Sequence, residues 1–336
     1  MSFSLVSNEK LCVDIRGKVM RFMQAHNNRQ MKTIEIKKYG TIVFPDQCLD
    51  GTILCENQDT VTAIRNLVKR EKITAKNVYI NISDPSIVLR IVKVPQMSER
   101  DLKDYFDMEI SQYLHVNFKT STYDFKILNH LEEDEKKLMN VMLISVSQEL
   151  ICNYVNMFKM AGLNPKVVDV YPNTIARLFE TQAQEDIAIL DVNDSNVDFI
   201  ILEKGKLFMH SSVTLEESLS DFESPLSSTD LHIGVCDSSS GVIDEISNYA
   251  MTYLNFFSSR HFGKSVDTIY VLGQLALVEN IEDYFNIMFQ IKVIAGLPQL
   301  FNIVPGREIH KLKLKQEICK KMSLYSSNLG LALRRV

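Results

Sequence analysis

Few of the residue types that carry chemistry stand close enough together in this chain to share a site. The six cysteines, Cys12, Cys48, Cys55, Cys152, Cys236 and Cys319, form no C-x-x-C pair. That spacing argues for free, buried thiols in a reducing compartment and against zinc or a disulfide framework. Seven histidines show no H-x-x-x-H spacing and no cysteine pairing, so no metal site is expected. Ser211-Ser212 and Ser238-Ser239-Ser240 lack the G-x-S-x-G setting of an elbow nucleophile. Asp101, Asp104 and Glu109 could move protons, but their spacing puts them on the polar side of an amphipathic helix, where they are read as solvated. Lys311, Lys313, Lys315, Lys320 and Lys321, with Glu308 and Glu317 among and beside them, read as a solvated helix face and not a phosphate-binding patch.

The whole-chain numbers agree with this. A net charge of −5 supplies no basic field, so nucleic acid is not an expected partner. At 46% hydrophobic and 24% charged, the 336 residues are enough for roughly two globular domains of ~150 residues. No apolar run approaches the ~18 residues that span a bilayer. Met1–Lys10 lacks the basic and apolar regions of a signal peptide, so a cytoplasmic protein without direct membrane insertion is expected. Glycine is scarce, at 12 residues, about half the usual ~7%. A backbone that cradles phosphate needs glycine at its closest approach.

The elements that would position a site follow from apolar periodicity. Leu11–Ile15, Val19–Gln24 and Met31–Tyr39 read as strands, Asp59–Glu71 as a helix capped by Thr60, and Val78–Ile82 as a buried strand. A second unit follows: strand Ile87–Val94; a helix capped by Ser98 with Asp101 three residues on; strands Ser121–Asn129 and Leu138–Val146 around an exposed hairpin loop Glu132–Lys137; a helix ending at Gly162; and strand Val167–Val170. This β-α-β-β-α-β pattern is expected to be an inserted subdomain. A short helix Asn173–Glu180 precedes a second meander, Ile187–Val192, Val197–Leu202 and Leu207–Ser212. Then come a polar loop Ser218–Asp230, a long helix Gly241–Ser259, strand Thr268–Leu272, helix Val278–Phe285 and a final helix Met322–Leu333. The repeated meander suggests a duplicated core.

Two halves that each open on a meander with an early aspartate, Asp14 and Asp191, resemble the actin/hexokinase/Hsp70 superfamily. A closer similarity is to the PilM family of type IV pilus assembly proteins. Val94-Pro95-Gln96-Met97-Ser98-Glu99-Arg100-Asp101-Leu102 is similar to its V-P-x-M-S-E-x-E-L, and Glu109 with Gln112-Tyr113-Leu114 to its E-x-x-Q-Y-I. Ala161-Gly162-Leu163-Asn164-Pro165 matches A-G-L-x-P, and Gly330-Leu331-Ala332-Leu333-Arg334 matches G-L-A-L-R. The resemblance implies an α/β, actin-like, two-lobed fold with a ribonuclease H-like duplicated core. Lobe 1 would hold residues 1–85, a 1C subdomain like that of FtsA residues 86–170, and lobe 2 residues 171–336, with the C-terminal helix returning to lobe 1.

The same resemblance implies a function: a cytoplasmic adaptor of the pilus inner-membrane platform, held at the inner face of the membrane through its partner. That partner is the N-terminal peptide of a PilN-like single-span membrane protein. The pilus assembly ATPase and platform protein are further partners it would imply. Candidate peptide-lining residues are Val94, Met97, Tyr105, Tyr113 and Leu114, which could equally be the core of the insertion. In the superfamily, glycine turns hold nucleotide, and the positions matching them here include Asp14, Asp191, Ser195 and Gly273. Arg16 and Asn193 stand where glycines are usual, Gln274 follows a single Gly273, and Asn280-Ile281 replaces Gly-Leu. Weak or lost ATP binding is therefore expected, and no cofactor; Mg-ATP is the one the family would supply. The rival readings are an actin-like ATPase or sugar or acetate kinase, and an FtsA-like cytoskeletal protein.

Overall fold

The computed structural model describes residues 9–28, 33–50, 53–180, 184–193, 196–215, 240–298, 302–304 and 315–334. The chain divides into two units, residues 1–22 with 40–171, and 23–39 with 172–336. In the first unit, β1 (Glu9–Arg16) is buried from Leu11 onward, which marks a central strand. β2 (Val19–Asn28) and β3 (Thr33–Val43) follow it, and the division of the chain runs through both. A small hairpin of β4 (Leu49–Asp50) and β5 (Ile53–Leu54) leads into α1 (Gln58–Arg70). Asn57, and not Thr60, caps α1: its Oδ1 accepts the Thr60 N–H at 2.9 Å and the Thr60 hydroxyl at 3.0 Å. Both residue types favour caps, but Asn57 alone has the extended backbone a cap needs.

β6 (Asn77–Ile82) runs parallel to β1, with Val78 opposite Leu11. The segment expected as one inserted unit, 86–170, then divides. β7 (Val88–Pro95), α2 (Glu99–Tyr113), β8 (Ser121–Glu133) and β9 (Lys136–Ser147) form a three-stranded antiparallel sheet in the order β7-β9-β8 with one helix. Its core is its own: Val94, Leu102, Phe106, Ile110, Leu114, Met139, Val141 and Leu143. Ser98 caps α2, accepting the Asp101 N–H at 3.2 Å, as its spacing predicts. By contrast α3 (Gln148–Met160) packs Leu150, Tyr154, Met157 and Phe158 into the core shared with α1, and β10 (Asn164–Val170) pairs in parallel with β6.

The charged run at 132–137 is exposed and makes the expected hairpin connection, but the loop is only two residues long. β8 and β9 stay paired through Glu133 and Lys136, and a two-residue turn, Asp134 and Glu135 at φ +48° and +62°, joins them. Positive φ at both central residues matches the twist of the flanking strands.

α4 (Tyr171–Leu178) opens the second half. β11 (Ile187–Asn193), β12 (Asn196–Glu203) and β13 (Lys206–Thr214) form an antiparallel meander. α5 (Ser240–Arg260) precedes β14 (Thr268–Gly273), which lies parallel to β11; α6 (Ile281–Phe289) precedes β15 (Lys292–Ala295), parallel to β14. The order β13-β12-β11-β14-β15 repeats β3-β2-β1-β6-β10 of the first half, so the core is duplicated strand for strand.

β16 (Asn302–Val304) pairs with Thr33–Glu35 of β3. The expected final helix is two, α7 (Lys315–Ser323) and α8 (Ser326–Leu333), separated at Leu324-Tyr325. Gly330 of α8 approaches the Thr174 carbonyl so closely that a Cβ would lie 2.2 Å from its oxygen. In the second unit α8 also meets the 23–39 segment, where Asn27 Nδ2 donates to the Ala332 carbonyl. The polar stretch expected as a loop at 218–230 lies outside the described residues.

Candidate functional site

β1 carries Asp14 to the end of the first unit's sheet, where it is 3% exposed. Asn81, one strand over on β6, donates its Nδ2–H to Asp14 Oδ1 at 2.7 Å. Arg16 folds back on the same carboxylate, with Nε 3.4 Å from Oδ2. Its guanidinium lies 4.2 Å from the centre of the Tyr171 ring, a cation–π contact. The β1–β2 turn itself still uses a glycine, Gly17, at φ +52°.

The second unit repeats the device with different residues. Asp191, fully buried at the end of β11, accepts Asn193 Nδ2–H on Oδ1 at 2.6 Å and the Ser326 hydroxyl on Oδ2 at 3.3 Å. Gly273 closes β14 at φ +72°, and a Cβ there would lie 2.2 Å from Val192 O and 2.5 Å from Asp191 Oδ1. The structure thus brings Asp191, Asn193 and Gly273 together within the second unit. Ser195 lies outside the described residues. Asn280 takes the left-handed conformation, φ +59°, that glycine would take at no steric cost.

A magnesium nucleotide needs carboxylate oxygens open to the ion's water shell and glycine where phosphate meets backbone. Here both carboxylates are engaged by donors of their own unit, and a buried cation sits at Asp14. Within each unit, the carboxylate that would face a magnesium ion is thus already occupied by a side chain of that unit. Asn81, Tyr171 and Ser326 were not among the expected site residues. Only Asn81 left a signal, as a polar residue in the run Val78-Tyr79-Ile80-Asn81-Ile82. Elsewhere in β1, burial pushes the Cys12 thiol up to about 12, so it stays protonated at neutral pH and is no nucleophile.

The candidate peptide-lining residues separate by burial. Val94 and Leu114 are 1% and 0% exposed and belong to the core of the β7-α2-β8-β9 layer, so they cannot touch a partner without unpacking it. Met97, Tyr105 and Tyr113 are half-buried around that core. The Tyr105 and Tyr113 hydroxyls share a hydrogen bond of 2.6 Å, and that bond, ahead of burial, holds the Tyr113 phenol up at about 12. Met108, on the outer face of α2, is 74% exposed.

Among the described residues no helix is long and apolar enough to cross a membrane. A search of curated protein sequences finds no match. Among solved structures, a chain of the PilM–PilN type IV pilus biogenesis complex is similar at TM-score 0.72 and 19% identity, over 97% of this chain and 98% of that one. A Bacteroides thetaiotaomicron protein with an actin-like ATPase fold and unknown function follows at TM-score 0.47 and 9% identity, over 98% of both chains. The ethanolamine utilization protein EutJ of Carboxydothermus hydrogenoformans stands at TM-score 0.48 and 11% identity, over 98% of this chain and 90% of that one. The family pattern of the type IV pilus assembly protein PilM matches residues 12–213, more than half of the 336. The chain therefore belongs to the PilM family of type IV pilus assembly proteins, and its mixed α/β fold is actin-like.

Proposed function

We propose that this chain is a cytoplasmic adaptor of the type IV pilus inner-membrane platform. It binds the N-terminal cytoplasmic peptide of a PilN-like single-span membrane protein, and it does so without nucleotide. The observation that carries the partner is the likeness, along nearly the whole chain, to a chain of a PilM–PilN complex. The geometry of the first unit supports it. β7 and β8 are the outer strands of a small sheet, and an extended peptide can hydrogen-bond along such an edge while its side chains enter apolar pockets. Met97, Tyr105 and Tyr113 offer half-buried apolar surface of the kind a peptide covers. The chain is held at the inner face of the membrane through that partner, and the assembly ATPase and platform protein are further partners of the same adaptor.

Independence from nucleotide is supported by Arg16 and Asn193, which engage the two aspartates the superfamily uses. The test is co-purification. The tagged chain, co-expressed with a PilN-like protein, is expected to recover it from solubilised membranes, and removal of that protein's cytoplasmic N-terminus should abolish recovery. A Met97→Glu variant, which places a charge on half-exposed surface, should fold normally yet bind at least about tenfold more weakly, ~1.4 kcal/mol. Recovery unchanged by either alteration would contradict this docking site.

A further inference from the structure

We infer that Arg16 is a built-in replacement for a metal cation at Asp14, which fixes this loop in a closed arrangement that takes neither magnesium nor nucleotide phosphate. The inference rests on the nucleotide-independent part of the reading above and not on the peptide partner.

A carboxylate as buried as Asp14 needs a counter-charge and a hydrogen-bond donor. Both come from the first unit. Asn81 supplies a neutral donor to one oxygen at 2.7 Å, and Arg16 supplies the charge at the other at 3.4 Å. Three observations set Arg16 apart from a surface arginine that happens to lie near. It is only 8% exposed, so its charge does not rest in water. Its guanidinium is held both by the carboxylate and by the Tyr171 ring. And it is the last residue of β1, directly before the turn at Gly17, so the side chain beside that turn is the one that neutralises Asp14. A divalent ion at Asp14 would meet a fixed like charge a few ångströms away, in surroundings that screen it poorly.

The second unit reaches the same end without a cation. Asn193, two residues after Asp191, turns its amide onto that carboxylate, and Ser326 takes the other oxygen. In each unit the residue two positions beyond the aspartate thus turns its side chain back onto that carboxylate.

The test is thermal melting of the full chain as wild type, R16M, R16K and D14N/R16M, each alone, with millimolar MgCl2 and with millimolar Mg-ATP. Wild type is expected not to respond to either addition. R16M should melt several degrees lower, because a buried carboxylate has lost its cation, and magnesium should restore part of that loss. R16K, which keeps a cation, should melt closer to wild type than R16M. D14N/R16M, with the charge removed as well, should recover most of the stability and ignore magnesium. The inference is overturned if wild type is stabilised by Mg-ATP, if R16M melts like wild type, or if adding D14N to R16M brings no recovery. Should R16M fail to fold, D14N/R16M decides: folding near the wild-type temperature supports the assignment, and failure overturns it. None of these outcomes depends on peptide binding, so the adaptor reading and this one fail separately.

Discussion

Replacing Gly273 by alanine is expected to destabilise the second unit by about 3 kcal/mol, measured by urea or thermal unfolding. Two costs add. The backbone there has φ +72°, a left-handed conformation that costs an L-residue roughly 1–2 kcal/mol. The new Cβ would also stand 2.2 Å from Val192 O, 2.5 Å from Asp191 Oδ1 and 2.8 Å from Asn193 Nδ2. Two of these atoms belong to the Asp191–Asn193 hydrogen bond, and the third is the carbonyl that accepts the Gln274 N–H at 2.8 Å. Relief must therefore break a polar contact as well as shift backbone, and overpacking of that kind costs about 1–3 kcal/mol. Gly263→Ala is the control. Its φ is +86°, but nothing lies within 4 Å of its Cβ, so it should show only the conformational cost. Equal effects at the two positions would mean that the close packing around Gly273 is not as described.

Phe106→Ala should cost about 3–5 kcal/mol, with the loss confined at first to the β7-α2-β8-β9 layer. Phe106 is fully buried, and its ring meets those of Tyr105, Tyr113 and Phe125 at 5.5, 5.7 and 5.6 Å. The layer's core is separate from the larger core built by α1, α3 and the first sheet. Amide hydrogen exchange in α2 should therefore accelerate strongly while that of β11 stays near the wild-type rate. Uniform acceleration across both would show that the layer does not unfold as its own unit. Because Met97, Tyr105 and Tyr113 sit on this layer, the same variant should also weaken the proposed peptide binding.

Local signals in the sequence found most elements and some of their ends. Ser98 followed by Asp101 located the start of α2 because the cap is a short-range hydrogen bond between residues of those types. The repeated meander pointed to duplication because strand alternation survives where residue identity does not. What went unread was long-range. Periodicity shows that α3 has an apolar face, yet not that α1 covers it, so 148–170 reads from sequence as part of an insertion. The hairpin loop at 132–137 reads as longer than it is because the flanking charges lie on strands that are exposed there, with Lys93 of β7 reaching Glu133 at 2.7 Å. At the candidate nucleotide loops the missing glycines were legible, but where Arg16 and Asn193 place their side chains was not. Motif spacing likewise could not separate Val94 and Leu114, which are core, from Met97, Tyr105 and Tyr113, which reach the surface.

The central claim, a pilus-platform adaptor that works without nucleotide, is tested most directly by titration calorimetry. The full chain is titrated with a synthetic peptide of a PilN-like protein's cytoplasmic N-terminus, once in plain buffer and once with millimolar Mg-ATP. The account predicts saturable binding at micromolar or tighter Kd, about −8 kcal/mol or better, with the same Kd in both buffers. No heat and no melting shift with the peptide, or binding that appears only when Mg-ATP is present, would contradict it.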